Sequence, residues 1–218
     1  MKVYKISEAT ITRLSIYSRF LKQLLNEQLK TVSSGEIAKG VGVSSAQVRK
    51  DLAYFGEFGM RGVGYKVDEL YGYIIKILGL NHAWNTIIIG AGKLGSALAL
   101  YQGFIDRGFR IKAILDIEKK IIGTHMMNIQ VDTIDTLAHK VQENDISIGI
   151  LTVPADAAQE VTDQLVAAGI KAILNFSPKV LKVPDNVILR HVDFSVNLEI
   201  LSFNLTHDKY MFPFRIDS

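Results

Sequence analysis

The most restrictive stretch of this chain is Thr86-Ile87-Ile88-Ile89-Gly90-Ala91-Gly92-Lys93-Leu94-Gly95-Ser96-Ala97, where an apolar run breaks into Gly-x-Gly-x-x-Gly and then into a helical pattern. It reads as strand, phosphate turn, helix. The first glycine permits the tight turn and the second lets backbone approach a pyrophosphate. The third lets the helix pack on the strand, and the helix N-terminus faces the anion. Three glycines at this spacing say little alone, so their context decides. An apolar strand precedes them, and Leu94, Leu98 and Tyr101 follow at helical spacing. A second strand, Ile111-Lys112-Ala113-Ile114-Leu115, ends in Asp116, 21 residues beyond Gly95 and close to where an acid takes a ribose hydroxyl. The plainer alternative is a glycine-rich strand-to-helix turn that binds nothing.

Length and charge divide the chain. Its 218 residues, 48% of them hydrophobic, suffice for two domains, each with its own core. There is no cysteine, which excludes disulfides, thiolate catalysis and thiolate metal sites. No apolar run approaches the roughly 20 residues that span a bilayer. The first residues lead into an amphipathic helix and not a signal peptide, so the expectation is a soluble, cytoplasmic protein. Residues 1–80 hold 12 lysines and arginines against 7 aspartates and glutamates, and the remainder holds 13 against 15. The positive charge therefore sits in the first part, as suits a polyanionic partner, although many basic domains bind nothing in particular.

From Ser7 to about Leu29, Ile11, Leu14, Tyr17, Leu21, Leu24 and Leu25 share one side of an amphipathic helix. Ser33 and Glu36 have capping-box spacing and open a short helix that stops at Gly40-Val41-Gly42. Ser44 or Ser45 then caps a helix from Ala46 to Phe55. Two short helices across a glycine-containing turn suggest a helix-turn-helix. In the second of them Val48, Leu52 and Phe55 share a face. Gln47, Arg49, Lys50 and the capping serines are left for the outside, as residue types that read base edges and hold phosphates. Residues 56–67 carry four glycines in the first nine positions and the alternation Val63/Tyr65/Val67, which predicts a small β-hairpin. Such a hairpin is the wing of a winged helix, with Arg61 and Lys66 near the DNA. Otherwise it is an ordinary hairpin with solvated cations. Asp68 is expected to cap the next helix, and residues 80–85 to connect the domains.

Beyond that connection strand and helix alternate: strand 86–90, helix 93–106, strand 111–116, helix 133–143, strand 146–153, helix 155–168, and strands 171–176 and 187–192. Runs such as Ile148-Gly149-Ile150-Leu151 are apolar on successive residues, as in a parallel sheet covered on both faces. The prediction is a Rossmann-type, doubly wound α/β sheet. Its ligands sit outside the carboxyl ends of the strands, where Gly90 to Ser96, Asp116, Thr152, Val153, Pro154 and Asn175-Phe176-Ser177-Pro178 should converge. The final helix, Phe194 to about Leu205, carries Phe194, Leu198, Leu201 and Leu205 on one stripe. It must be covered by its own sheet, the default, or by a partner subunit. The expected domains are 1–80, a DNA-binding winged helix; 81–193, a dinucleotide-binding sheet; and 194–218, a dimerisation helix and tail.

The two halves together resemble the redox-sensing transcriptional repressors called Rex over residues 5 to 207. The resemblance is carried by Val48-Arg49-Lys50-Asp51-Leu52, Phe55-Gly56-Glu57-Phe58-Gly59, Arg61-Gly62-Val63-Gly64-Tyr65, the glycine turn from Gly90 to Leu98, Val153-Pro154-Ala155, Asn175-Phe176-Ser177-Pro178 and Val192-Asp193. It implies a homodimer that binds an inverted-repeat operator and leaves it when NADH binds. It implies that Arg49, Lys50 and Arg61 lie at the DNA. Gly90, Ala91, Gly92, Lys93, Leu94, Gly95 and Ser96 would cradle the pyrophosphate, and Asp116 the adenosine ribose. It also implies a terminal helix that crosses to the other subunit. Arg19, Tyr101 and Asp193 would couple redox state to domain orientation, with Phe194 close to the nicotinamide. NADH and NAD⁺ would be effectors, with no metal and no catalytic residue. The rival reading is an NAD-dependent dehydrogenase with a helical prodomain, for which only His191 is placed to act as an acid or base. A second rival gives the first domain protein partners instead of DNA.

Overall fold

The computed structural model describes residues 6–56, 58–59 and 63–207. The chain divides into two compact units, one through Asn81 and the other from His82 through the last helix.

In the first unit, α1 (Glu8–Asn26) is capped by Ser7, whose hydroxyl accepts from Thr10 N. Then follow β1 (Thr31–Val32), α2 (Ser34–Val41), α3 (Ser45–Ala53), β2 (Tyr65–Lys66) and α4 (Val67–Ile77). The capping box of Ser33 and Glu36 forms as its spacing predicts, and Gly42 ends α2 in the left-handed conformation at φ 72°. Leu14, Tyr17 and Leu21 of α1 meet Ile37, Val48, Leu52, Leu70 and Ile74 in one core.

Two expectations change here. Tyr65–Lys66 pairs antiparallel with Thr31–Val32, a segment to which the sequence pattern assigns no element. A strand of two residues is too short to carry a period, so the sequence conceals it. Asp68 is not the cap of α4: Lys66 holds that position without a side-chain bond, and the Asp68 carboxylate accepts from Glu69 N. Arg61, Glu57 and the tail from Asp208 lie outside the described residues.

One polar cluster interrupts this core. Asp51 on α3 is fully buried. Its carboxylate accepts from Arg13 Nε at 2.6 Å and Nη2 at 2.7 Å, from the Tyr17 hydroxyl at 2.8 Å and from Gln47 Nε2 at 2.9 Å. Burial pushes this carboxyl up, and the hydrogen bonds from Arg13, Tyr17 and Gln47 outweigh it and hold it below the usual carboxylate range. α1 and α3 are thus joined by a charge that cannot leave its partners.

The second unit is a seven-stranded sheet in the order β5-β6-β4-β3-β7-β8-β9. Its strands are β3 (Trp84–Ile89), β4 (Phe109–Asp116), β5 (His125–Met126), β6 (Ile129–Thr133), β7 (Ile148–Leu151), β8 (Ala172–Asn175) and β9 (Ile188–His191). All pair in parallel except β5, which runs antiparallel to β6. Ile87 and Ile89 enter one core with Leu137 and Val141 of α7 (Leu137–Glu143) and Ala158 and Leu165 of α8 (Ala158–Ala167). Ile88 enters the opposite core with Ala99 of α5 (Lys93–Ala99) and Phe104 of α6 (Gln102–Ile105). Successive residues thus serve opposite faces, which is why the run is apolar without alternation.

The helix expected over 93–106 is two pieces, because Tyr101 adopts extended dihedrals (φ −73°, ψ 104°) between α5 and α6. The short ribbon of β5 and β6 escapes the sequence reading, since Met126 and Ile129 flank a turn with Met127 at φ 55°. The last helix, α9 (Phe194–Thr206), buries none of its residues, so the default expectation that its own sheet covers it is not met.

Asp51→Ala should lower the stability of the first unit by about 2–3 kcal/mol in thermal unfolding, because Arg13 and Tyr17 lose their acceptor. The wild-type contribution is fully present above the ordinary carboxylate range and is lost as pH falls through the depressed Asp51 value. The variant should therefore show a shallower acid limb.

Candidate functional site

The turn after β3 is built by contacts that exclude side chains at two of its glycines. Gly90 has φ 99°, and a Cβ there would sit 2.8 Å from the Thr152 carbonyl oxygen. The Thr152 hydroxyl donates to the Gly90 carbonyl at 2.7 Å, which ties the end of β3 to the segment after β7. A Cβ on Gly95 would run into the Gly90 carbonyl oxygen, so only glycine lets α5 pack this close to the strand. Gly92 differs from both. Its dihedrals (φ −66°, ψ −169°) suit any residue, and a Cβ there would meet no protein atom within 4 Å. The protein itself makes no demand for glycine at 92; a ligand lying against the backbone would.

Asp116 ends β4 beside this turn. Its Oδ2 accepts from Ala91 N at 2.6 Å, and its Oδ1 from Ile117 N at 2.7 Å and Glu118 N at 2.9 Å. These three amides orient the carboxylate toward a cavity of about 420 Å³ that it lines with Gly90, Gly92, Thr152, Val153 and Pro154. Ile117, Ile121 and Ile134 form an apolar wall of the same cavity. Sequence reading missed this wall, because the isoleucines lie on separate turns with no common period.

A second cavity, of about 440 Å³, opens at the ends of β8 and β9 and is lined by Leu94, Phe176, Ser177, His191, Asp193 and Phe194. The Phe176 and Phe194 rings lie 5.8 Å apart. Gly92 lines the first cavity and Leu94 the second, so the glycine turn lies between them. The chain runs outward from β3 through β4 to β6, then returns to start again at β7. This is the topological switch point at which open α/β sheets bind ligands. Two cavities flanking a phosphate turn fit a ligand with two bulky halves joined by a pyrophosphate.

Other residues singled out from the sequence have local partners. The Ser96 hydroxyl donates to the Gly92 carbonyl at 2.8 Å and so braces the turn. Lys93 is exposed. The Asp193 carboxylate caps α9, accepting from the Ser195 hydroxyl at 2.7 Å and Ser195 N at 2.8 Å, and these bonds hold it below the usual carboxylate range. Tyr101 is exposed and lies edge-on to Phe104. Arg19 is exposed on α1 of the first unit.

In the first unit, Ser44 caps α3 by accepting from Gln47 N at 3.1 Å, and Ser45 is the first helical residue. Arg49 and Lys50 are exposed, and Arg49 Nη1 donates to the Ser34 hydroxyl at 3.0 Å. Gln47 is half-buried with its amide on Asp51, not turned wholly outward. Lys66 is exposed and paired with Glu69 at 2.7 Å. Among the described residues no group of three or more acidic, histidine or cysteine side chains is placed to hold a metal ion.

Residues 81–179 match the model of a CoA binding domain, and residues 5–53 that of a putative DNA-binding protein N-terminus. The redox-sensing transcriptional repressor Rex of Syntrophomonas wolfei is 69% identical over 94% of this chain and 98% of its own length. That of Carboxydothermus hydrogenoformans is 57% identical over 95% of this chain and its whole length. The chain belongs to the Rex family. The structure of RSP, another Rex-family repressor, in complex with β-NAD⁺ and operator DNA is similar at a TM-score of 0.89, with 46% identity over 94% of this chain and 95% of that one. The RSP complex with β-NADH gives a TM-score of 0.84 at 44% identity, over 94% of this chain and 97% of that one. The Rex family thus includes a member of this fold solved with each redox form of the dinucleotide.

The different duties of the glycines are separable. Gly95→Ala should lower thermal stability by about 1–3 kcal/mol through overpacking against Gly90. Gly92→Val should change the stability of the free protein by no more than about 0.5 kcal/mol. It should abolish the stabilisation of about 2.7 kcal/mol expected from a dinucleotide lying across the turn at a hundred times its Kd.

Proposed function

We infer that this chain is a DNA-binding transcriptional repressor that senses the NADH/NAD⁺ balance, binding an inverted-repeat operator as a homodimer and leaving it when NADH binds. The observation that carries this reading is its 46% identity, along nearly the whole chain, to a repressor solved with both β-NAD⁺ and operator DNA. The crevice suits the role. Asp116 would accept from the adenosine ribose and its charge would repel a 2′-phosphate, favouring NADH over NADPH. The pyrophosphate would cross the turn from Gly90 to Ser96 against the bare backbone of Gly92. The nicotinamide half would enter the second cavity beside Phe194.

In the first unit, α3 carries the exposed cations Arg49 and Lys50, with Ser44, Ser45 and Gln47 near its start. We assign them to the major groove and phosphates, with Arg61 and Lys66 beside the DNA. Arg19, Tyr101 and Asp193 are assigned to coupling nicotinamide state to DNA binding. The bare apolar stripe of α9, with Phe194, Leu198, Leu201 and Leu205 exposed, is covered by the second subunit. No helix among the described residues is long and apolar enough to cross a membrane, and a regulator of this kind works in the cytoplasm.

The dinucleotide is an effector here and not a coenzyme. The alternative, an NAD-dependent dehydrogenase, is not favoured, because the relatives that match along nearly the whole chain are transcriptional repressors. Turnover of an alcohol with NAD⁺ would reverse that judgement.

Random-site selection with the full-length protein should enrich a palindrome with half-sites about one DNA turn, or a multiple of it, apart. Arg49→Ala should weaken binding to that site roughly tenfold, while NADH affinity stays at the wild-type value. If Arg49 holds a phosphate, the salt slope of binding should also fall by about one. Recovery of no palindrome would contradict the reading.

A further inference from the structure

Gln47 stands in the first turn of α3, the helix that the repressor reading sets in the major groove. It is pinned twice. Its backbone N–H donates to the Ser44 hydroxyl at 3.1 Å, and its Nε2 donates to Asp51 Oδ1 at 2.9 Å. The direction of this amide is not free, because Asp51 is a carboxylate that also accepts from Arg13 and Tyr17. Turned over, the amide would set its oxygen against an anionic oxygen. One N–H of Nε2 therefore belongs to Asp51, and the amide keeps Oε1 and its second N–H. Among the described residues the buried side-chain polar atom without a partner is Ser177 Oγ. Gln47 is only half-buried and no described group donates to its Oε1, so that oxygen is open to solvent.

An acceptor beside a donor is a selective pattern in the major groove. Adenine shows its N6 amino group beside N7, the complement of this pair. Guanine offers O6 and N7, both acceptors, and thymine offers O4 and a methyl group, so neither has a donor for Oε1. Cytosine offers only its N4 amino group and leaves the N–H unmatched. We propose that Gln47 is a specificity-determining residue that reads one adenine in each operator half-site, accepting from N6 through Oε1 and donating to N7 through its second N–H. This rests on the repressor reading above. Arg49 and Lys50, the exposed cations of the same helix, carry donors only and cannot make this distinction. The Gln47 side chain is already ordered in the free protein, so little rotamer freedom is lost when a base arrives and the contact counts nearly in full. Removing the Gln47 amide leaves Asp51 its bonds from Arg13 and Tyr17, so the first unit keeps its fold without it.

The test uses the full-length protein and the operator that wild type enriches in random-site selection. Each adenine of the half-sites is replaced in turn by purine, which lacks the N6 amino group, and by 7-deazaadenine, which lacks N7. At one position per half-site both replacements should weaken wild-type binding, by roughly tenfold for purine, the lower range of a lost base contact. Gln47→Ala should bind the unmodified operator roughly tenfold more weakly and lose no more than about twofold further from either replacement at that position. Gln47→Met, which keeps the length of the side chain, should behave in the same way. Selection with either variant should return the same palindrome with the preference for adenine gone at that position. Equal losses in wild type and variants at every adenine, an undiminished preference in the variants, or half-sites without an A·T pair would each overturn the proposal. If wild type enriches no palindrome, the repressor reading itself fails, and this inference with it.

Discussion

The nucleotide-binding unit depends on one close approach, that of the α5 backbone at Gly95 to the Gly90 carbonyl at the end of β3. No side chain fits between them. α5 therefore starts against the strand, and the turn is held from the other side by the Thr152 hydroxyl on the Gly90 carbonyl. Once these two contacts are made, Gly92 is carried outward with nothing over it, and Asp116 is drawn alongside by the Ala91 amide. One backbone constraint thus produces an open cradle, an oriented carboxylate and a cavity on either side. Packing of this kind is stiff, which suits a receptor that must distinguish two nearly identical ligands.

The first unit is built on a different principle. Asp51 is the one charged residue among its described buried side chains, and that carboxylate links α1 to α3 through Arg13, Tyr17 and Gln47. A buried ion pair is weak evidence of stability, since its desolvation offsets most of its attraction, but it is strict about geometry. α3 cannot rotate or slide on α1 without stranding a charge. Because α3 also carries the exposed cations Arg49 and Lys50, that restriction fixes their register. A ligand can shift the DNA equilibrium only by binding two arrangements with different affinity, so rigid units that move as wholes serve the switch better than deformable ones.

Much of this was legible in the sequence because it follows from short-range rules. The glycine spacing, the apolar run of Ile87 to Ile89, the Ser33 and Glu36 box and the acid at 116 each have one structural meaning in context. What escaped depends on residues distant in the chain or too few to show a period. Thr31–Val32 became a strand only by pairing with Tyr65–Lys66. The break at Tyr101 replaced a continuous helix, with the ring laid over Gly103, where a Cβ would collide with it. The inward tie of Gln47 came from Asp51 one turn later, a pair that looks solvent-facing on a helical wheel. The Asn175–His191 bond joins residues 16 positions apart on adjacent strands, and a lone histidine gives no sign of such a partner.

The central claim is that DNA and NADH compete through the conformation of one dimer, and the most direct measurement of it is a closed thermodynamic cycle. NADH affinity is measured on the free protein and on the protein bound to its selected operator, and operator affinity is measured with and without saturating NADH. NADH should bind the operator complex more weakly than the free dimer, and the operator should bind the NADH-loaded dimer more weakly by the same factor, with NAD⁺ producing a much smaller change. Equal NADH affinity for the free and DNA-bound protein would contradict the account.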